Sequence, residues 1–224
     1  MESKKKEHYL AMHFPNWELL NEQEKEQILT NCKRQSYQKG ELIHQGGNTC
    51  KGLMLLESGQ MRAYIVSEEG REVTLFRIRS GETCVLSASC LMEAIAFEIL
   101  MDAMADCTLW VVPSMVYERV LKNHMELELY MYKAANERFS DVIWTLQQIL
   151  FFGVDRRIVS LLWEEFHEQQ SESIAITHEE IAKLIGSARE VVTRVLKYLA
   201  GEGIVALERG KVRILDKEAM KKYL

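Results

Sequence analysis

No run of eighteen apolar residues occurs in this 224-residue chain, so no membrane-spanning helix is expected. The opening residues, MESKKKEHYL, are charged and then polar, with no apolar leader core, so no signal peptide is expected. The five cysteines are an odd number, and none stands in a Cys-x-x-Cys pair. That fits a reducing cytoplasm better than a disulfide scaffold. The most telling absence is local. Residues 80–118 contain no Lys, Arg or His, although Glu82, Glu93, Glu98, Asp102, Asp106 and Glu118 all occur there. A buried anion would find no positive partner in that stretch.

What is present points first to the C-terminal part. The net charge of −5 is unevenly spread: residues 174–224 carry ten Lys/Arg against seven Asp/Glu, a net of +3. Within them, IAITHEEIAKLIGSAREVVTRVLKYL reads as two short helices around a tight turn. Thr177 is a good N-cap, and Glu180 three residues on completes a capping box. Gly186 is placed to end the first helix, and Ser187 to cap the second. Val192, Val195, Leu196 and Leu199, with Ala188, make an apolar stripe. The opposite face carries Arg189, Glu190, Thr193, Arg194 and Lys197. A helix entering the DNA major groove by its N-terminal end presents such positions to base edges. Arginine can pair bidentately with guanine, and a carboxylate can accept from the cytosine amino group. The plainer alternative is a solvated face with an i,i+4 pair between Glu190 and Arg194.

The segment ITHEEIAKLIGSAREVVTRVLKYL resembles the helix-turn-helix of the Crp/Fnr family of bacterial transcription regulators, and the resemblance extends more weakly over nearly the whole chain. It implies base contacts from Arg189, Glu190 and Arg194 to double-stranded DNA with a pseudo-palindromic operator. Phosphate contacts are expected from Thr177, His178, Ser187 and Lys211. RNA polymerase is a further partner for a regulator of this kind.

The rest of the chain reads in order as an α+β protein. Residues 1–32 form a helical lead-in, with Asn21 and Glu24 as a capping box. Glycines at 40, 46, 47, 52, 59, 70 and 81 separate short apolar or alternating runs, which read as antiparallel strands of a β-roll or jelly roll. It resembles the family's cyclic-nucleotide-binding sensor. In members that bind the nucleotide, an arginine pairs with the cyclic phosphate, whereas here the corresponding stretch reads EAIAFEI. The expected effector is therefore not cAMP. A neutral or apolar molecule near Met92, Met101 and Met104, a metal centre, or redox chemistry at Cys84 and Cys90 stands in its place. Buried core cysteines are the plainer reading of those two. A cyclic nucleotide held by an unusual cation, such as Arg62, Arg77 or a residue of the partner's dimer helix, is the alternative, and a cysteine-dependent enzyme is a weaker one, since no histidine lies between His44 and His124 to act as base. No cofactor follows from the sequence, and no metal-ligand set is recognisable.

From Ser114 a helical pattern runs to Phe151 with a break near Asn123. Tyr132, Ala135, Phe139, Val142, Leu146 and Ile149 alternate by three and four, the spacing of a coiled-coil seam, and predict a homodimer. After a hinge at Gly153, Arg156 and Arg157 open an amphipathic helix, and two short strands around Arg209, Gly210 and Lys211 make a wing. The expected layout is a β-roll sensor over 1–120, a dimer helix over 121–152 and a winged helix-turn-helix over 153–224. The expected activity is transcription regulation and not catalysis.

Overall fold

The computed structural model describes residues 2–45, 52–84 and 99–224. The chain divides into two compact units, Met1–Tyr64 with Leu75–Val142, and Ile65–Thr74 with Ile143–Leu224.

The first unit opens with helix α1 (Glu2–His13), a single 3-10 turn (Trp17–Leu19) and helix α2 (Glu22–Asn31). The capping box forms as expected. The Glu24 amide donates to Asn21 Oδ1 at 2.9 Å, and the Asn21 amide donates to Glu24 Oε2 at 3.1 Å. Eight strands follow: β1 (Lys33–Tyr37), β2 (Leu42–His44), β3 (Leu53–Ser58), β4 (Gln60–Val66), β5 (Glu72–Arg79), β6 (Thr83–Cys84), β7 (Leu100–Ala103) and β8 (Cys107–Val112). They form two four-stranded sheets, ordered β1-β8-β3-β6 and β2-β7-β4-β5. Each sheet interleaves early and late strands, which is the winding of a jelly roll.

Alternation along β3 explains its unbroken apolar run LMLL. Met54 and Leu56 join Met61, Ile78 and Leu109 in a core fed by both sheets. Leu53 and Leu55 point the other way, to Leu10, Phe14, Trp110 and Tyr117 beneath the helices. A strand covered on both faces has no polar positions to alternate. Gly59 turns β3 into β4 with φ +88°, and a Cβ there would fall 2.4 Å from the Asp106 carbonyl oxygen. Only glycine meets both demands.

The chain then forms helix α3 (Ser114–Leu121) and helix α4 (Met125–Phe151). The break expected near Asn123 lies between them and is tied to α2. Asn123 Nδ2 donates to Glu24 Oε1 at 3.1 Å, and His124 Nε2 lies 2.8 Å from Glu24 Oε2. Burial pushes the Glu24 carboxyl up, but these bonds, with that from the Asn21 amide, together hold it below its ordinary range.

Two expectations change in detail here. Of the predicted seam, Tyr132, Phe139 and Leu146 are exposed, but Ala135, Val142 and Ile149 are half-buried. Val142 packs against the β core, which takes up that face of α4. The exposed apolar row runs through Met125, Leu129, Tyr132, Phe139, Ile143, Leu146 and Leu150. Of the predicted effector residues, Cys84 and Met101 are core residues, at 2% and 1% exposure, while Met104 is half-buried. Cys90 and Met92 lie outside the described residues.

The second unit contains helix α5 (Val154–Gln169), β9 (Ser173–Ile174), helix α6 (His178–Ile185), helix α7 (Arg189–Gly201), β10 (Val205–Glu208), β11 (Lys211–Ile214) and helix α8 (Lys217–Lys221). Its sheet is ordered β10-β11-β9. Ile158, Leu162, Ile181, Val192, Leu196, Leu199 and Val212 make its core. Among the described residues, no helix is long and apolar enough to cross a membrane.

Candidate nucleic-acid interface

Local chemistry sets the ends of α6. Thr177 Oγ1 accepts from the Glu180 amide at 3.2 Å, and Glu180 Oε2 accepts from the Thr177 amide at 2.7 Å. Both partners of the predicted capping box are thus in place. At the other end Gly186 is left-handed, with φ +62°. Its amide and that of Ser187 both donate to the Ala182 carbonyl, the latter at 2.9 Å. This is a Schellman closure. It uses Ser187 through its backbone, so the N-cap of α7 passes to Ala188, which has no side-chain bond to offer. Ser187 therefore does not cap α7 as its residue type suggested.

Arg157, on α5, braces the same turn. Its guanidinium is 9% exposed and donates to the Ile185 carbonyl at 2.6 Å. A cation at the C-terminal carbonyls of a helix is favoured by the helix dipole. Burial, and then the nearby Arg71, lower its pKa. The segment Ile65–Thr74, which groups with this unit, adds three more ties. Arg71 Nη2 donates to the Gly186 carbonyl, Thr74 Oγ1 donates to the Lys183 carbonyl at 3.0 Å, and Lys183 Nζ meets Glu72 Oε1 at 3.2 Å. Val73 fills the space beside Gly186, where a Cβ would come within 3.1 Å of its methyl group. Sequence reasoning missed Arg71, Glu72, Val73 and Thr74. They lie more than a hundred positions from the turn, and nothing local marks them.

The α7 stripe folds as predicted for Val192, Leu196 and Leu199, which are buried, with Val195 half-buried, but Ala188 is exposed. Arg189, Glu190, Arg194 and Lys197 project to solvent. Among the described residues, Arg189, Glu190 and Arg194 make no ion pair or side-chain hydrogen bond within the protein. The Glu190–Arg194 pair of the plainer reading does not form. Two arginines and a carboxylate in the first two turns of an exposed helix therefore keep their hydrogen-bonding capacity for an outside partner.

The phosphate-contact candidates divide into two kinds. Thr177 and Lys211 are exposed, while His178 and Ser187 are half-buried. Lys211 adjoins the Arg209–Gly210 tip, which joins β10 to β11 as the expected wing. His178 is engaged inside the motif, with its Nδ1 3.0 Å from Thr193 Oγ1, joining the start of α6 to α7. Its pKa is lowered, first by burial and then by the positive charges of Arg189 and Lys197.

A pH effect follows. His178 binds its proton less readily when folded, so it contributes stability that is complete above its unfolded pKa of about 6.5 and lost as pH falls below it. Thermal melts at about pH 7.5 and about pH 5.5 should show a larger loss for the wild type than for His178→Gln. Equal losses would show that this imidazole is not linked to folding.

A model of the Crp-like helix-turn-helix domain matches residues 156–223, and a model of the cyclic nucleotide-binding domain matches residues 34–124. A solved structure assigned to the Crp/Fnr family of transcriptional regulators, from Eubacterium rectale, is 42% identical. It matches over 94% of this chain and 98% of its own, with a TM-score of 0.88. The cAMP-activated global transcriptional regulator Vfr of Pseudomonas aeruginosa is 22% identical over 85% of this chain and 92% of its own. The c-di-GMP responsive global regulator CLP of Xanthomonas campestris shares the fold at a TM-score of 0.75 and 20% identity, over 88% of this chain and 100% of its own. The relatives and the fold are those of transcription regulators, not of enzymes.

Proposed function

The chain belongs to the Crp/Fnr family of transcription regulators, and from that premise we propose that it binds a pseudo-palindromic operator as a homodimer, reading bases with Arg189, Glu190 and Arg194. The carrying observation is the exposed first half of α7, where those three side chains have no partner within the protein among the described residues. Thr177, His178, Ser187 and Lys211 position the motif on phosphates. The exposed row of α4, including Tyr132, Phe139 and Leu146, supports the dimer, with Ala135, Val142 and Ile149 at its flank. Footprinting on genomic fragments selected by the protein tests the reading. Protected half-sites about 34 Å apart are expected, and protection without a repeated half-site would overturn it.

We propose further that the effector acting on the β-roll, in a cytoplasmic regulator, is not a cyclic nucleotide. A desolvated cyclic phosphate needs a cation. Residues 80–118 supply none, and Arg62, one of the candidates named above, is committed elsewhere. Arg62 is 3% exposed and makes a bidentate pair with Asp102, with two contacts of 2.8 Å, while its guanidinium lies 4.1 Å from the centre of the Tyr64 ring. Calorimetry with cAMP and cGMP should give no micromolar binding, and neither nucleotide should alter operator affinity. Micromolar binding that raises operator affinity would sink the proposal.

The redox alternative at Cys84 and Cys90 is disfavoured at its first residue by the burial of Cys84.

A further inference from the structure

We infer that operator binding is coupled to proton uptake on the imidazole of His178, so that each reading head grips a DNA phosphate through a charged His178 and operator affinity rises as pH falls through the histidine range. The inference rests on the DNA-binding reading proposed above and adds to it a sensitivity to pH.

His178 is the first residue of α6, directly after the N-cap Thr177. Its Nδ1 lies 3.0 Å from Thr193 Oγ1 on α7. Thr193 stands between Arg189 and Lys197 at steps of four, so all three share one face of that helix, and both cations are exposed. The ring is thus set against the row of α7 that carries the base-reading Arg189. A threonine hydroxyl donates or accepts as required, so this bond holds in either charge state of the ring. Among the described residues Nε2 has no partner, and it is open to solvent. The bond to α7 fixes the ring and leaves the second nitrogen for an outside group.

Charge decides which state the ring takes. The charged groups that act on it, Arg189 and Lys197, are both positive and come from α7. On its own helix, Glu180 is committed to the Thr177 amide and hydroxyl, and Glu179 is exposed. Arg157 of α5, and Arg71 and Glu72 of the 65–74 segment, meet the far end of α6, at Ile185, Gly186 and Lys183. Burial and the two cations therefore keep the free ring neutral at about pH 7. The helix N-terminus also disfavours a cation there. A phosphate arriving at Nε2 reverses the balance. It offsets the field of the two cations and makes the contact a charge-assisted hydrogen bond, about twice as strong as a neutral one. DNA then raises the proton affinity of His178, and by reciprocity protons raise the affinity for DNA by the same factor. The sign is opposite to the stability effect: lower pH weakens the free fold at this site but strengthens its hold on the operator.

Fluorescence anisotropy of the full chain on an operator fragment selected by the protein, at fixed ionic strength between about pH 7.5 and about pH 6, tests the coupling. The wild type is expected to bind on the order of tenfold more tightly at the lower pH, through one proton on each protomer of the dimer. His178→Arg, always charged, and His178→Gln, never charged, should both lose most of this pH dependence, with His178→Arg the tighter binder at about pH 7.5. Salt titration gives a readout that a purely structural histidine would leave unmoved. The wild-type slope of log affinity against log salt should steepen by roughly one to two at the lower pH, as two further phosphate contacts become ionic. The slope of His178→Gln should stay the same. Wild-type and His178→Gln affinities that rise in parallel, or a wild-type salt slope equal at both pH values, would overturn the inference while leaving operator recognition in place. Failure to select any operator would remove the DNA-binding reading and this inference with it.

Discussion

Replacing Phe139 by Asp is expected to leave a folded chain that no longer associates and has lost operator-specific binding. Phe139 is 62% exposed on the single chain, so its removal empties no core. An exposed substitution of this kind changes folding stability by only about 0.5 kcal/mol. At a dimer seam the consequence is far larger. Two carboxylates would be brought together across the seam, each losing water at a cost of several kcal/mol with no cation to meet it. A dimer holds its second reading head at high effective concentration over the second half-site. Losing that linkage should cost roughly 10²–10⁴ in operator affinity. Sedimentation and gel shift should show both losses, with an unchanged melting temperature at low protein concentration. Leu146→Asp, one heptad on and 46% exposed, should behave alike. A Phe139→Asp protein that remained dimeric would remove this face of α4 from the interface.

Replacing Arg189 by Ala should cost about 1–3 kcal/mol on the cognate operator and relax preference at one base pair, with random DNA losing much less. The side chain sits at the first position of α7 and, among the described residues, makes no ion pair or hydrogen bond of its own. The loss should therefore register in recognition and not in folding. Arg194→Ala should affect a different base pair by a similar amount. Glu190→Ala should weaken selectivity while raising affinity for random DNA, because a carboxylate facing phosphate is repelled until it finds a base donor. Lys211→Ala, at the wing, should weaken all sequences alike and reduce the salt slope by about one. Binding of Arg189→Ala with an unchanged ratio of cognate to random affinity would refute the assignment.

Features set by neighbours a few residues apart were legible in the sequence. The capping boxes Asn21/Glu24 and Thr177/Glu180 need only a three-residue spacing, and both form. The Gly186 terminator and the turns at Gly59, Gly70 and Gly81 need only freedom at positive φ, and all four adopt it. The exposed face of α7 followed from helical periodicity and the apolar side that must be buried. Ser187 shows the limit even at short range: a backbone closure through its amide moved the cap one residue on.

The sheet order and the partners of the charged groups were decided by tertiary structure. No local pattern pairs β1 with β8 across some seventy residues, or brings Asp102 to Arg62. Those contacts exist because strands distant in the chain close two sheets over one core. The seam of α4 shows the same division. Spacing alone admits two rows that share Tyr132, Phe139 and Leu146, one adding Ala135, Val142 and Ile149, the other Leu129, Asn136, Ile143 and Leu150. The β core covers Val142 and leaves the second row in water. A helix has one periodicity but many faces, and only what packs against it selects the face left for a partner.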